Sequence, residues 1–221
     1  MARNDRRSRV VFVDRHDAGK QLAPLLAHLR SRDPLVLGLP RGGVPVAAVV
    51  AHELDAQLDV IVVRKLGAPS HSEYAIGAIG EDGVVVLDED SMRLLGLDQV
   101  KIAVVERAER EELVRQVVLF RRGRPPLGLG GRTAIIVDDG VATGATATAA
   151  CRVVRALGAE TVVLAVPIAP RGWKRSLIGE ADELIAVETP DQFGAVGAWY
   201  SDFRQTTDDE VLAALSASTA S

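Results

Sequence analysis

AIIVDDGVATGATATAA, residues 134–150, is the stretch on which the reading of this chain turns. Ala134 to Val137 form the short, unbroken apolar run of a strand buried on both faces. Two adjacent carboxylates, Asp138 and Asp139, close the run, and after them nearly every residue is Gly, Ala or Thr. Strand side chains alternate, but here the strand is ending, so both carboxylates can turn toward the crevice above the sheet. Held side by side they repel each other and need a partner. A vicinal diol, with one hydroxyl for each carboxylate, is one such partner, and a divalent cation is another.

The segment Gly140, Val141, Ala142, Thr143, Gly144, Ala145, Thr146 has little bulk. A ligand can therefore reach the backbone N–H groups that open the next helix, where unpaired donors and the macrodipole favour an anion. Thr143 and Thr146 add hydroxyl donors. A diol grip next to a phosphate grip describes a ribose 5-phosphate.

Around this stretch, strand-like and helix-like runs alternate. DAGKQLAPLLAHL carries Leu22, Leu25, Leu26 and Leu29 at helical spacing, with Asp17 as the expected N-cap and Pro24 as a kink. PLVLGL reads as a strand running into PRGG, and VPVAAVVAHEL as a helix. LDVIVVRK reads as one buried strand, and AIGAIGEDGVVVLDED as a hairpin turning at Glu81-Asp82-Gly83. LDQVKIAVVERAEREELVRQVVLF is a long amphipathic helix whose solvated face offers i,i+4 pairs such as Glu111–Arg115. TAIIVDD, TVVLAVPIA and ELIAV are further strands, and TGATATAACRVVRALGA and RGWKRSLIGEA are helix-like. Apolar strands separated by helices predict an α/β fold with a parallel sheet covered on both faces. Ligands then bind at the carboxyl ends of the strands.

With 221 residues, one domain with an appended subdomain at most is expected. The balance of 48% apolar and 25% charged residues is that of a globular protein, and with 4% aromatics the core falls to Val, Leu, Ile and Ala. A net charge of −4 supplies no field to recruit nucleic acid. The lone Cys151 excludes an internal disulfide, and its place on a helical face with Ala147 and Val154 predicts a buried, inert thiol. The basic start MARNDRRSRVVF lacks an apolar core of a signal peptide, and no run approaches a membrane span, so a cytoplasmic protein with no membrane partner is expected. The LGLGG run precedes a strand and is not a dinucleotide fingerprint.

The pattern AIIVDDGVATGAT resembles the signature of the type I phosphoribosyltransferases: four apolar residues, two acids, a spacer and T-G-x-T. GLPRGGVPVA, VRKLGAPSHSEYAIGAI and GAVGAWYSDF are similar to a bacterial branch often called predicted phosphoribosyltransferases. The resemblance covers residues 10–205. It implies the family's parallel-sheet fold with helices on both faces, a β-hairpin extension and a small C-terminal hood within 167–205. Residues 1–9 would be a flexible basic N-terminus and 206–221 a partly disordered tail.

The same resemblance implies binding of phosphoribosyl pyrophosphate (PRPP) with Mg²⁺ as cofactor, and transfer of the 5-phosphoribosyl group to a nucleobase or related acceptor with release of pyrophosphate. A non-catalytic PRPP- or nucleotide-binding regulator is the alternative. Asp138 and Asp139 would hold the ribose hydroxyls, and also the metal, mostly through water and PRPP. Ala142, Thr143, Gly144, Ala145 and Thr146 would hold the 5-phosphate, and Arg41, Gly42 and Gly43 the pyrophosphate. Arg64 and Lys65 would neutralise the leaving group at the base of a mobile loop, in which Glu73 or His71 could move a proton. Phe193, Trp199 and Tyr200 are candidates to stack on the acceptor, with packing of the tail equally consistent. A homodimer is common in the family. Two positions depart from the family pattern. Gly140 stands where many members carry a bulky apolar residue, and Ala142 stands where the 6-oxopurine enzymes carry an aspartate base.

Overall fold

In the computed structural model, residues 11–69, 71–97 and 99–217 are described, with the side chains of 71–74 and 99–100 set aside. The expected parallel sheet is present. Its five strands are β1 (Leu35–Gly38), β2 (Gln57–Val60), β6 (Thr133–Val137), β7 (Thr161–Ile168) and β8 (Glu183–Glu188), in the order β2-β1-β6-β7-β8. The central strands β1 and β6 are buried throughout, as their unbroken apolar sequences require.

Alternation along each strand feeds two cores. Val36, Ile135, Val137 and Val163 enter one, with α2 (Gly43–Leu54) and much of α4 (Gln99–Arg121). Leu35, Leu37, Ile136 and Leu164 enter the other, with α5 (Ala145–Ala156). Cys151 lies in that second core, where burial pushes its thiol up to about 12.

Several local expectations are corrected. The N-cap of α1 (Arg15–Leu22) is Asp14, whose carboxylate accepts from Asp17 N at 2.8 Å, while Asp17 accepts from Val13 N at 3.0 Å. At Pro24 the chain passes into a 3₁₀ segment, Ala23–Arg32. LDVIVVRK is not one strand: it breaks after Val60, and β3 (Val63–Ala68) joins a separate antiparallel sheet with β4 (His71–Gly80) and β5 (Val85–Leu87), which the short α3 (Glu89–Leu94) follows. The break is fixed by a buried Arg121, which pairs with Asp59 and Glu81 and donates to Val60 O, while Glu81 also accepts from Val62 N. No periodicity in the sequence reports such a charge cluster.

On α4, Arg115 pairs with Glu112 and Glu111 with Arg107, so the expected Glu111–Arg115 pair does not form. RGWKRSLIGEA yields only a short 3₁₀ turn, Trp173–Leu177. Within the tail 206–221, expected to be partly disordered, Asp208–Ala217 form α6, anchored by buried Val211, Leu212 and Leu215; residues 218–221, like 1–10, lie outside the described residues. Among the described residues no helix is long and apolar enough to cross a membrane.

Candidate active site

β1 and β6 pair in register from Leu35↔Ala134 to Gly38↔Val137, so their carboxyl ends stop side by side. The loop 39–43 is thereby laid against Asp138 and Asp139, and Leu39 N donates to Val137 O at 2.9 Å. Gly42 and Gly43 make this contact possible. A Cβ at Gly42 would stand 2.0 Å from Asp139 Oδ2, and one at Gly43 would stand 2.4 Å from Val137 O. No other residue fits at either position without moving the aspartates.

The two carboxylates have different surroundings. Asp138 Oδ1 accepts from Asp139 N at 2.9 Å. Burial, and then the neighbouring Asp139 charge, push the Asp138 carboxyl up to about 8. Burial raises Asp139 as well, opposed by Arg15, whose Nε and Nη2 donate to Asp139 Oδ2 at 2.9 and 2.7 Å. Arg15, the first residue of α1, carries no sequence signal: next to a cap it reads as a surface cation. Only the fold brings it to Asp139, 124 residues away along the chain.

The small-residue loop does reach a helix start. Gly144 caps α5 with φ of 83°, a left-handed conformation suited to glycine, and no side chain caps the helix there. The first N–H groups of α5 are thus open to a ligand, apart from Ala145 N, which donates to Thr143 Oγ1 at 3.5 Å. Ala142, Thr143 and Thr146 are exposed beside them. Gly140 also has a structural reason: a Cβ there would lie 2.5 Å from Val196 Cγ1 and 2.8 Å from Ile168 Cγ2. The space that a bulky residue would fill is taken by Val196.

Arg41 lies in loop 39–43, with its Nε 3.0 Å from Asp208 Oδ1 on α6. Arg64 and Lys65 are not delivered together. They are consecutive in the regular part of β3 and face opposite sides of the small sheet. Arg64 turns to α4 and pairs with Glu109, with Nε and Nη2 at 2.8 and 2.7 Å. The expected mobile loop is the β3–β4 hairpin; the side chains of His71 and Glu73 lie outside those described.

The aromatic residues gather into a third cluster that fastens residues 11–12 to residues 199–203. Val11 N and Phe12 N both donate to Trp199 O, and Ser201 N donates back to Phe12 O. Tyr200 is buried with its ring 5.2 Å from Phe12 and 4.9 Å from Phe203, and its hydroxyl donates to Asp139 O at 2.6 Å. Trp199 Nε1 donates to Phe193 O at 2.9 Å. Packing thus occupies the Tyr200 ring and leaves Phe193 and Trp199 only partly buried.

Among the described residues no group of three or more His, Cys, Asp or Glu is placed to hold a metal. Asp138 and Asp139 each have one oxygen engaged by the protein, which leaves one apiece for a ligand. That donor set suits a hard cation carried mainly by an anionic substrate and water, not a protein cage.

The sequence profile of the phosphoribosyl transferase domain matches residues 15–196. In Mycobacterium tuberculosis strains H37Rv and CDC 1551, proteins provisionally named phosphoribosyl transferases are 57% identical over 205 residues, 93% of this chain. The chain spans 46% of their length. The crystal structure of TT1426 from Thermus thermophilus is 45% identical and superposes with a TM-score of 0.87, covering 92% of this chain and 97% of that one. A Neisseria gonorrhoeae protein solved with ppGpp bound shares the fold at 14% identity and a TM-score of 0.50, covering 95% of this chain and 97% of its own.

Proposed function

The chain belongs to the phosphoribosyl transferase domain family, and from that premise we propose that it uses PRPP to transfer a 5-phosphoribosyl group to a small acceptor such as a nucleobase. One observation carries the reading. The paired ends of β1 and β6 bring two adjacent carboxylates, a helix start without a side-chain cap and a glycine-rich Arg loop together at the carboxyl end of the sheet.

In this reading Asp138 and Asp139 hold the ribose hydroxyls with their remaining oxygens. The N–H groups at residues 142–146 receive the 5-phosphate. The loop of Arg41, Gly42 and Gly43 receives the diphosphate, with Arg41 exchanging Asp208 for phosphate oxygens. Mg²⁺ bound with PRPP would add positive charge at the diphosphate. The C1–O bond breaks with its electron pair leaving on pyrophosphate, while an acceptor nitrogen supplies the pair for the new C1–N bond. The aspartates lie close to the positive charge that develops on the ribosyl ring. The protein's part is thus positioning and electrostatics. Ala142 offers no base, so a proton on the acceptor nitrogen leaves to water or to a group outside the described side chains.

Tyr200 supports Asp139 instead of the acceptor, and Arg64 serves the α4 interface instead of the leaving group. Phe193 and Trp199 remain the candidates beside the acceptor, and Lys65 the cation on the α5 side of the hairpin. The test is calorimetry with PRPP and Mg²⁺, followed by a pyrophosphate-release screen over nucleobases. Loss of PRPP binding in Asp138→Asn/Asp139→Asn and release with at least one base are expected. A wild-type protein that ignores PRPP refutes the proposal. Tight PRPP binding without release from any base would turn the reading to a PRPP-binding regulator.

A further inference from the structure

The geometry points to Arg15 as a positioning residue that aims Asp139 at the ribose, an inference that rests on the PRPP reading above. Three of its nitrogens are committed. Nε and Nη2 both donate to Asp139 Oδ2, and Nη1 donates to Arg204 O at 2.8 Å. Its guanidinium carbon lies 4.2 Å from the centroid of the Phe203 ring, so the planar group is stacked as well as hydrogen-bonded. Three of its five N–H donors are thus held by the protein, two of them on one oxygen of Asp139.

Arg15 does fix one degree of freedom of the site. A carboxylate at a strand end can rotate about its last bond and present either oxygen. Here Oδ2 is pinned by two donors from one side, and the Asp139 backbone is held from the other by the Tyr200 hydroxyl. Oδ1 is the oxygen left to meet a ligand hydroxyl. The pair is mostly buried, with side-chain exposures of 13% for Arg15 and 15% for Asp139. It thus differs from a solvated surface ion pair, where loss of one partner changes little. The pyrophosphate loop makes room for the pair: a Cβ on Gly42 would collide with Asp139 Oδ2 and stand 3.2 Å from Arg15 Nε.

The role separates two ligands that the same crevice should bind. Ribose 5-phosphate depends on the aspartates, whereas inorganic pyrophosphate depends on the Arg41 loop. Calorimetry on the full chain with each ligand is the test. Arg15→Gln should weaken ribose 5-phosphate at least tenfold while pyrophosphate affinity stays within about twofold. Arg15→Lys, which keeps the charge, should recover part of the loss. Phe203→Leu removes the stacking ring but keeps the arginine, and should weaken ribose 5-phosphate by a smaller factor, again sparing pyrophosphate.

Equal ribose 5-phosphate affinity in Arg15→Gln and wild type overturns the role. Parallel loss of both ligands in Arg15→Gln and Phe203→Leu overturns it too, because it marks Arg15 as scaffold only. Wild-type protein that binds neither ribose 5-phosphate nor PRPP sinks the functional reading and this inference together. That outcome is distinct from wild-type binding that Arg15→Gln leaves intact, which sinks this inference alone.

Discussion

Replacing Asp138 by Asn should make the protein more stable as pH rises, at the expense of its ligand. The Asp138 carboxyl is pushed up to about 8 from 3.8, chiefly by burial and then by the adjacent Asp139 charge. In the unfolded chain it ionises near pH 4, while in the folded chain it keeps its proton until near pH 8. Between those values the unfolded state binds fewer protons, so stability falls with rising pH and levels off above pH 8. Each pH unit is worth about 1.4 kcal/mol, so the loss reaches a few kcal/mol by neutral pH. Asn cannot ionise, and its Oδ1 can still accept from Asp139 N, a bond of 2.9 Å in the native chain.

The variant should therefore match the wild type near pH 4 and exceed it by about 5 kcal/mol at pH 8, roughly 15 °C in melting temperature for a chain of this size. Thermal and urea unfolding at pH 5 and pH 8, with EDTA to remove adventitious cations, measure this directly. A variant less stable than wild type at pH 8, or a gap that is the same at both pH values, refutes the reasoning. PRPP titration of the same samples should show the matching loss of affinity, a trade common where a site holds buried charge.

Other perturbations read other parts of the crevice. Gly42→Ala places a methyl inside the Asp139 carboxylate and should reduce PRPP affinity at least tenfold by calorimetry. Gly140→Ala collides with Val196 and Ile168 and should lower stability by about 1–3 kcal/mol in urea; Val196→Ala in the same chain should restore part of it. Asp208→Asn releases Arg41 from its carboxylate and should tighten inorganic pyrophosphate binding a few-fold, with unchanged affinity counting against the Arg41 assignment. Cys151, buried and raised to about 12, should react with a disulfide reagent only at the rate of unfolding; rapid modification of the native protein would contradict its placement.

The parallel sheet and the loop that opens α5 are legible in the sequence because each rests on a local pattern. Ile135 to Val137 and Val162 to Val166 are unbroken apolar runs, and Asp138 to Thr146 is one contiguous motif. What was illegible depends on residues far apart in the chain. The break after Val60 is made by Arg121 from the end of α4, and nothing near residue 60 announces it. Asp17 looked like a cap because the periodic leucines begin after it, but the helix opens one turn earlier, at Asp14. Arg64 and Lys65 looked like a pair because they are adjacent, yet strand geometry sends them to opposite faces. The tail 206–221 reads as partly disordered from its SASTAS end, and the spacing of Val211, Leu212 and Leu215 that docks α6 lies just before it.

The clasp of Phe12, Tyr200 and Phe203 has a consequence for synthesis. A ribosome makes Arg15 124 residues before Asp139, and Tyr200 and Phe203 later still. A nascent chain stopped after β8 would already carry all five strands of the parallel sheet and the whole small-residue loop 140–146. It would still lack the hydroxyl that holds the Asp139 backbone and the ring that supports Arg15. The surroundings of Asp139, the proposed sugar grip, are therefore completed last, after the loop proposed to hold phosphate.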